Sequence, residues 1–458
     1  MTGMNYIIFK LFATRLIFIT LFALFLLGCN SKKSITEQIH FTSKDIQNKI
    51  DNSKTGKITL SPGTYIIESP VEIPSGTVLN GSNATLILKN PAVNIFNIVN
   101  KKNIQISDLN LIGSRSIYDL TFYNQRMEKN LLFIKNSKNI EINNLKFSDH
   151  SFTTLSIWNS NDIRIKNSFF SGLGSGYPEN LPPFMYSFDG IFIMAEPGFK
   201  SENIEISNCS FHNIGMKSPE DDGDGIHIHA PGEDMVNNIR IVNCSFNLCT
   251  RRGIKIQAGS EIDIIDNVFK HCNSGIGITQ ASPVSRVNVS KNTFDSCKIA
   301  IATNHNFMVK SLKIVENIMK NSEFVIRTSG ESYINDLLIL KNETQNTGKC
   351  FLDGQIENAV IRDNMIENYA MDADKDYYMA LLIADKSKNV SVLNNVFKTK
   401  YKTISAIYLK ENTNSITIRE NTFSLPKTDF GKKYLIYSHS KDSKNIIKDN
   451  REMLFLQE

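Results

Sequence analysis

Several things are scarce in this chain of 458 residues. It has one tryptophan and no run of lysines and arginines that resembles a nucleic-acid patch, so nucleic-acid binding is set aside. It has no low-complexity tract, and its composition is that of a folded globular protein. There are seven cysteines, but no C-x-x-C or similar spacing that would mark a cysteine metal site. The formal net charge is only +5, a mild lean towards anionic partners. What the chain does have is length: it can bury a large core or hold two or three ordinary domains.

One long apolar run stands at the start. Lys10 and Arg15 bracket its approach, and "LIFITLFALFLLGC" ends in Gly28 and Cys29. A basic lead, a short apolar stretch and a small residue before the cut describe a secretory signal. "LLGC" resembles the lipobox of bacterial lipoproteins, which implies cleavage before Cys29 and lipidation of its sulfur; the alternative is an uncleaved anchor helix. The expected organisation is a signal peptide over 1–28, a polar tether over 29–42, the main domain over 43–425 and a C-terminal strand or cap over 426–458. The mature chain is expected in the cell envelope, outside the cytoplasm, lipid-anchored at the outer membrane, and monomeric.

The main domain is a repeat. "NIQISDLNL" at 103 returns as "NIEINNLKF" at 139, "DIRIKNSFF" at 162, "NIEISNCSF" at 203, "NIRIVNCSF" at 238 and "EIDIIDNVF" at 261. It continues through "RVNVSKNTF", "SLKIVENIM", "DLLILKNET", "NAVIRDNMI" and "NVSVLNNVF" to "SITIRENTF" at 415, with shortest spacings of 22 to 25 residues. Alternation with period two inside each copy marks strands. Self-similarity at this period marks a solenoid whose turns bury their apolar faces on one another. A β-propeller or β-sandwich would need hairpin turns, which the repeats do not supply.

The fold class expected is therefore all-β, a right-handed parallel β-helix of about 12–14 turns. "TSKDIQNKIDN" reads as a short capping helix over its open end. Asn267, Asn292, Asn317, Asn342, Asn364, Asn395 and Asn421 recur at one place in the phrase. They suit a tight corner, because Asn tolerates the left-handed conformation and its amide can bond along the stack. Phe147, Phe170, Phe211, Phe246, Phe269, Phe294, Phe397 and Phe423 form an internal aromatic column. Cys249, Cys272 and Cys297 fall on consecutive turns, and Cys209 and Cys244 take the ladder position. Stacked buried thiols are the expectation; neighbouring rungs, about 5 Å apart, also permit disulfides.

A second strand precedes each phrase: "TLSIWN", "DGIFIM", "DGIHIH", "RGIKIQ" and "SGIGIT". With the isoleucines pointing in, alternate residues point out. One outward column reads Ser156, Phe192, His227, Lys255, Gly277; the next reads Trp158, Met194, His229, Gln257, Thr279. A third holds Asp189, Asp224, Arg252 and Ser274. Beyond residue 280 the outward positions thin to Ala300, Ala302 and Val325, with Arg327 and Asp353 remaining. Chemistry is thus concentrated in the middle turns, where a groove ligand would lie. The inserts 172–187 and 215–223 enter the same edge and can wall a groove. The plainer reading is that each D-G pair is only a corner and the charges only solvate a surface.

The repeat resembles the pectate-lyase-like superfamily over roughly residues 57–425. The patch resembles family-9 pectate lyases, in which aspartates hold calcium and a lysine takes the proton. "FDGIF" (188–192) places Asp189 at a calcium-ligand position, and "GIK" (253–255) places Lys255 at the base position. "GDGIH" matches the middle rung at Asp224, while Gly223 and His227 stand where that family has Asp. The resemblance implies Ca2+ held by Asp189 and Asp224, with Asp221 and Asp222 compensating from the preceding loop. It implies an acidic polysaccharide as substrate and β-elimination, or uronate epimerisation, as the reaction.

Elimination beside a uronate carboxylate needs that charge neutralised and a base in reach. Lys255 is the candidate base, Arg252 the carboxylate clamp and His227 the donor to the leaving oxygen, beside Asp224. Trp158, Phe192, His229, Gln257 and Arg251 are the candidate substrate contacts, with Trp158 and Phe192 as stacking platforms for a sugar ring. A fainter resemblance to family-28 polygalacturonases would make Asp189 and Asp224 an acid pair. A third possibility is a non-catalytic glycan-binding or structural β-helix protein.

Overall fold

The computed structural model describes residues 40–115, 129–174, 188–215, 223–279, 282–304, 308–329, 332–372, 379–401, 403, 405–425, 435–442 and 444–452. From Phe41 onward they form one compact unit, a right-handed parallel β-helix of about 14 turns. Strands pair in parallel from Lys57–Thr59 to Arg451–Glu452. A middle turn contributes three segments, for example Gly223–His229, Val236–Val242 and Ser245–Cys249. Each pairs with its counterpart one turn away. The stack runs past residue 425, because Ile436–Ser438 and Ile446–Lys448 pair onto Ile407–Leu409 and Asn414–Arg419.

At the other end, Ser43–Asp51 is an α-helix whose Ile46 and Ile50 join the main apolar core. Asp45 accepts hydrogen bonds from the Thr42 backbone N–H at 2.7 Å and from its hydroxyl at 2.8 Å, satisfying the chain at the helix start. Among the described residues, no helix is long and apolar enough to cross a membrane. Cys29 and the run before it lie outside the described residues.

The interior is organised by two ladders. Phe147, Phe170, Phe211, Phe246, Phe269 and Phe294 stack with ring centroids 4.7–4.8 Å apart and planes within 7°. That spacing is the strand spacing itself. Met319, Thr344 and Ile366 interrupt the column before Phe397 and Phe423 resume it.

The asparagine ladder is also internal. Asn292 Nδ2 and its backbone N–H both donate to Asn317 Oδ1, at 3.0 and 2.9 Å. The same pair of bonds repeats from Asn267 through Asn421, which donates in turn to Asn450. One expectation is corrected here. The ladder asparagines do not adopt the left-handed conformation; the residues before them do, with φ from 51° to 60° at Asp266, Lys291, Glu316, Lys341, Asp363, Asn394 and Glu420. The preceding residue makes the corner and aims the Asn amide inwards. Cys209 and Cys244 stand at ladder positions, and the Cys244 N–H donates to Asn267 Oδ1 at 2.8 Å. Cys209, Cys244, Cys249, Cys272, Cys297 and Cys350 are buried free thiols.

Candidate functional site

The site lies on the sheet formed by the strand that precedes each phrase. The register pairs Asp189 with Asp224, Asp224 with Arg252 and Arg252 with Ser274. It pairs Phe192 with His227, His227 with Lys255 and Lys255 with Gly277. Met194 pairs with Trp158 on one side and with His229 on the other. The first and third outward columns read from the alternation are those of the structure, and so is the second from Trp158 to His229.

The glycine in each D-G pair has a different role from a corner. Gly225 lies inside a strand, and a Cβ there would stand 2.6 Å from the Gly253 carbonyl oxygen and 2.8 Å from Phe246. Gly190, Gly253 and Gly275 meet the same obstruction from the phenylalanine column and the next backbone. Glycine is required by close approach, which lets the strand sit down on the rings. The residue before it is thereby fixed on the outward side.

The resulting cluster is dense. Asp189, Asp224, His227, Arg252 and Lys255 are each at most 5% exposed. Asp224 receives two cations: Arg252 Nη1 at 3.5 Å from Oδ1 and Lys255 Nζ at 3.6 Å from Oδ2. His227 bridges Asp189 Oδ2, 3.3 Å from its Nδ1, and Gln257 Oε1, 2.6 Å from its Nε2. Both partner atoms accept, so the ring is placed to donate from each nitrogen. His229, half-buried beside them, is held neutral. Burial pushes its pKa down to about 4, with the positive charges of His227 and Lys255 adding to the effect.

Two expectations change. Phe192 is fully buried and offers no ring face to a sugar, and Trp158 is 6% exposed. They pack with Phe133 in a small apolar cluster, Trp158 lying 5.6 Å from Phe133 and 6.4 Å from Phe192 between ring centroids. Lys135 Nζ stands over the Trp158 ring at 4.9 Å. An outward position is not an open one when its neighbours are large and apolar; here the aromatics wall the site and brace His227, 4.9 Å from Phe192. Ala300 and Val325 belong to the core, not the outward face. The outward residues at those rungs are Ile299 and Phe324, paired through Ser274 with the Arg252 column. Asp221, Asp222 and most of both inserts lie outside the described residues.

Two features carried no role at first. Arg251, Arg252 and Arg327 line a cavity of about 370 Å³ beside the cluster. The Lys255 column runs on through Gly277, Ala302, Arg327, Asp353 and Leu382 to Tyr408 and Tyr437. Tyr408 and Tyr437 are half-buried and stacked at 5.5 Å. The alternation in "AIYL" was the signal for Tyr408.

The model of the family described as "Right handed beta helix region" matches residues 96–332. The chain belongs to that family. No curated protein matches it in sequence. This β-helix is similar to the surface adhesin PfbA of Streptococcus pneumoniae, at 16% identity over 88% of this chain and 91% of that one, TM-score 0.53. It is similar to a tailspike protein mutant of E. coli bacteriophage HK620 in complex with pentasaccharide, at 12% identity over 87% and 74%, TM-score 0.53. It is also similar to a PL6 alginate lyase in complex with trisaccharide, at 10% identity over 89% and 88%, TM-score 0.50. These likenesses are of fold.

As to a metal, this β-helix brings single ligand atoms of Asp189, Asp224 and His227 within 4.8 Å of one another. The described groups do not fit calcium, which takes six to eight oxygen ligands. They supply two carboxylates and a nitrogen, and Asp224 already faces Arg252 and Lys255. Arg252 can do what a metal does for a substrate carboxylate, which is to neutralise its charge.

Proposed function

We propose that this protein binds an acidic polysaccharide along its outward face and cleaves it by β-elimination, or epimerises it by the same first step. The observation that carries this reading is the juxtaposition of Lys255, Arg252 and His227, buried on consecutive rungs beside the arginine-lined cavity. Arg252 holds the uronate carboxylate and withdraws its charge. Lys255 is the base that takes the proton from the carbon beside that carboxylate. The electron pair forms the ring double bond as the bond to the glycosidic oxygen breaks, and His227 protonates the leaving oxygen. Asp224 positions both cations; Asp189 and Gln257 position His227. His229 and Arg251 contact the bound chain.

In this reading the chain is a monomer lipidated at Cys29 and tethered in the cell envelope at the outer membrane, where extracellular polysaccharide reaches it. Lipobox spacing and the polar tether support the placement.

The test is ultraviolet absorbance of an unsaturated uronate product. The chain from residue 30 onward is incubated with polyuronates and glycosaminoglycans, with and without calcium, alongside Lys255→Ala. Rising absorbance with the native chain and none with the variant is expected. Equal absorbance from both proteins sinks Lys255 as base. A second reading has one observation in its favour: Asp189 and Asp224 place oxygens within 4.8 Å, close to the roughly 5 Å of a retaining hydrolase pair. New reducing ends without absorbance would establish it. Binding without any product would make the protein a glycan binder.

A further inference from the structure

The cavity beside Lys255 has its own construction. Arg251, Arg252 and Arg327 line it, with Ala302, Asn304 and Ser329 among the rest. No carboxylate is among its described lining residues. Lys255, Gly277, Ala302 and Arg327 follow one another in a single outward column. Lys255 and Arg327 are therefore separated by three rungs, about 14 Å, and the two column positions between them, Gly277 and Ala302, carry no side chain larger than a methyl group.

Both ends of this trough are preset. A Cβ at Gly277 would stand 2.4 Å from Arg252 Cδ, so glycine there gives the Arg252 side chain room to lie across the next rung. At the far end the Arg327 guanidinium lies 4.2 Å over the Phe324 ring, and its Nε faces Asp353 Oδ2 at 3.7 Å. An arginine stacked on one face and paired at one edge loses little freedom when an anion arrives.

We propose that this cavity is an acid-group subsite, in which Arg327 and Arg251 hold a carboxylate or sulfate on a sugar unit distant from the one at Lys255. The proposal rests on the reading of this face as a polysaccharide groove, but not on any chemistry at Lys255. The ligand class is a polyanionic glycan whose charged groups recur along an extended chain. Arg327 and Arg251 meet in one cavity while Lys255 stands three rungs away along the column, so an extended chain is needed to reach both. Arg327 is thus a specificity residue for chain length and charge.

The test is direct binding by isothermal titration, using the Lys255→Ala chain so that no turnover intervenes. The probes are a hexagalacturonate, a sulfated heparin hexasaccharide and neutral cellohexaose. One acidic hexasaccharide should bind and cellohexaose should not, and which acidic probe binds assigns carboxylate or sulfate. Arg327→Gln should weaken that binding about tenfold or more, with an unchanged melting temperature. Arg327→Lys should recover part of it. Unchanged affinity in Arg327→Gln, equal binding of cellohexaose, or no binding of either acidic hexasaccharide would each overturn the subsite. If the expected pattern appears while the native chain releases no product, the subsite stands and the elimination reading falls.

Discussion

The asparagine ladder and the Asp189–Lys255 cluster are both buried, polar and threaded through consecutive rungs, yet they satisfy their groups by opposite means. In the ladder every amide meets an identical amide one turn away, so each bond is a copy of the last. In the cluster each side chain meets a different type: Asp224 meets Arg252 and Lys255, and His227 meets Asp189 and Gln257. Repetition solves the folding problem generically. A buried group of five titratable residues of four types does not follow from stacking, and folding alone gives no reason to assemble it.

The largest effect should separate the two on function alone. Lys255→Met keeps the length of the side chain and removes the amine. Product formation should drop about 10²–10⁴-fold, with the circular dichroism spectrum retained. Full activity in that variant would mean the cluster only solvates itself. The converse variant is Asn317→Leu, which strips the acceptor from Asn292 Nδ2 and its backbone N–H. Two orphaned buried donors should cost about 2–5 kcal/mol, read as a lower denaturant midpoint. A midpoint within error of the native chain would show that the ladder is dispensable.

Acid should distinguish them too, because ladder amides do not titrate. The folded pKa of His229, about 4, lies below its ordinary value of 6.5. Between those values the folded state binds fewer protons than the unfolded chain. Stability is therefore fully present above pH 6.5 and is lost as the pH falls towards 4. Allowing for partial exposure, the loss is about 2 kcal/mol, and His229→Gln should remove that share of the melting-temperature decline. Identical pH profiles for the two proteins would refute it. An effect of similar size is expected for Gly225→Ala, which joins the two features. Its Cβ must displace Phe246 or the Gly253 carbonyl at about 1–3 kcal/mol, and because Asp224 is the adjacent residue, activity should fall with stability.

Much of this was legible in the sequence because a solenoid converts spacing directly into contact. Period-two alternation and the Phe and Asn intervals were enough to place Asp224 between Asp189 and Arg252, and His227 beside Lys255. What was not legible depended on volume. Alternation marks Phe192 as outward, but only the bulk of Trp158 and Phe133 decides that it is covered. The glycine of the D-G pair looked like a turn because the ring that forbids a side chain there is more than twenty residues away, at Phe246. The left-handed corner was assigned to the recurring Asn, when the variable residue before it, such as Lys291 or Glu316, makes the turn. Recurrence reports what the interior demands, and a corner facing solvent demands little of its side chain.

The asparagine ladder also bears on how such a molecule can change over generations. Successive ladder residues are separated by as few as 22 and as many as 31 positions. The amide-to-amide distance across both of those links is 2.9 Å. The ladder registers that the chain has come round and is indifferent to what it did on the way. Lengthening a loop between rungs leaves the spine untouched, whereas one residue inserted within a rung would throw its strand out of phase. Inheritance can therefore rewrite the outward face by whole excursions, trying new walls on a frame that keeps its count.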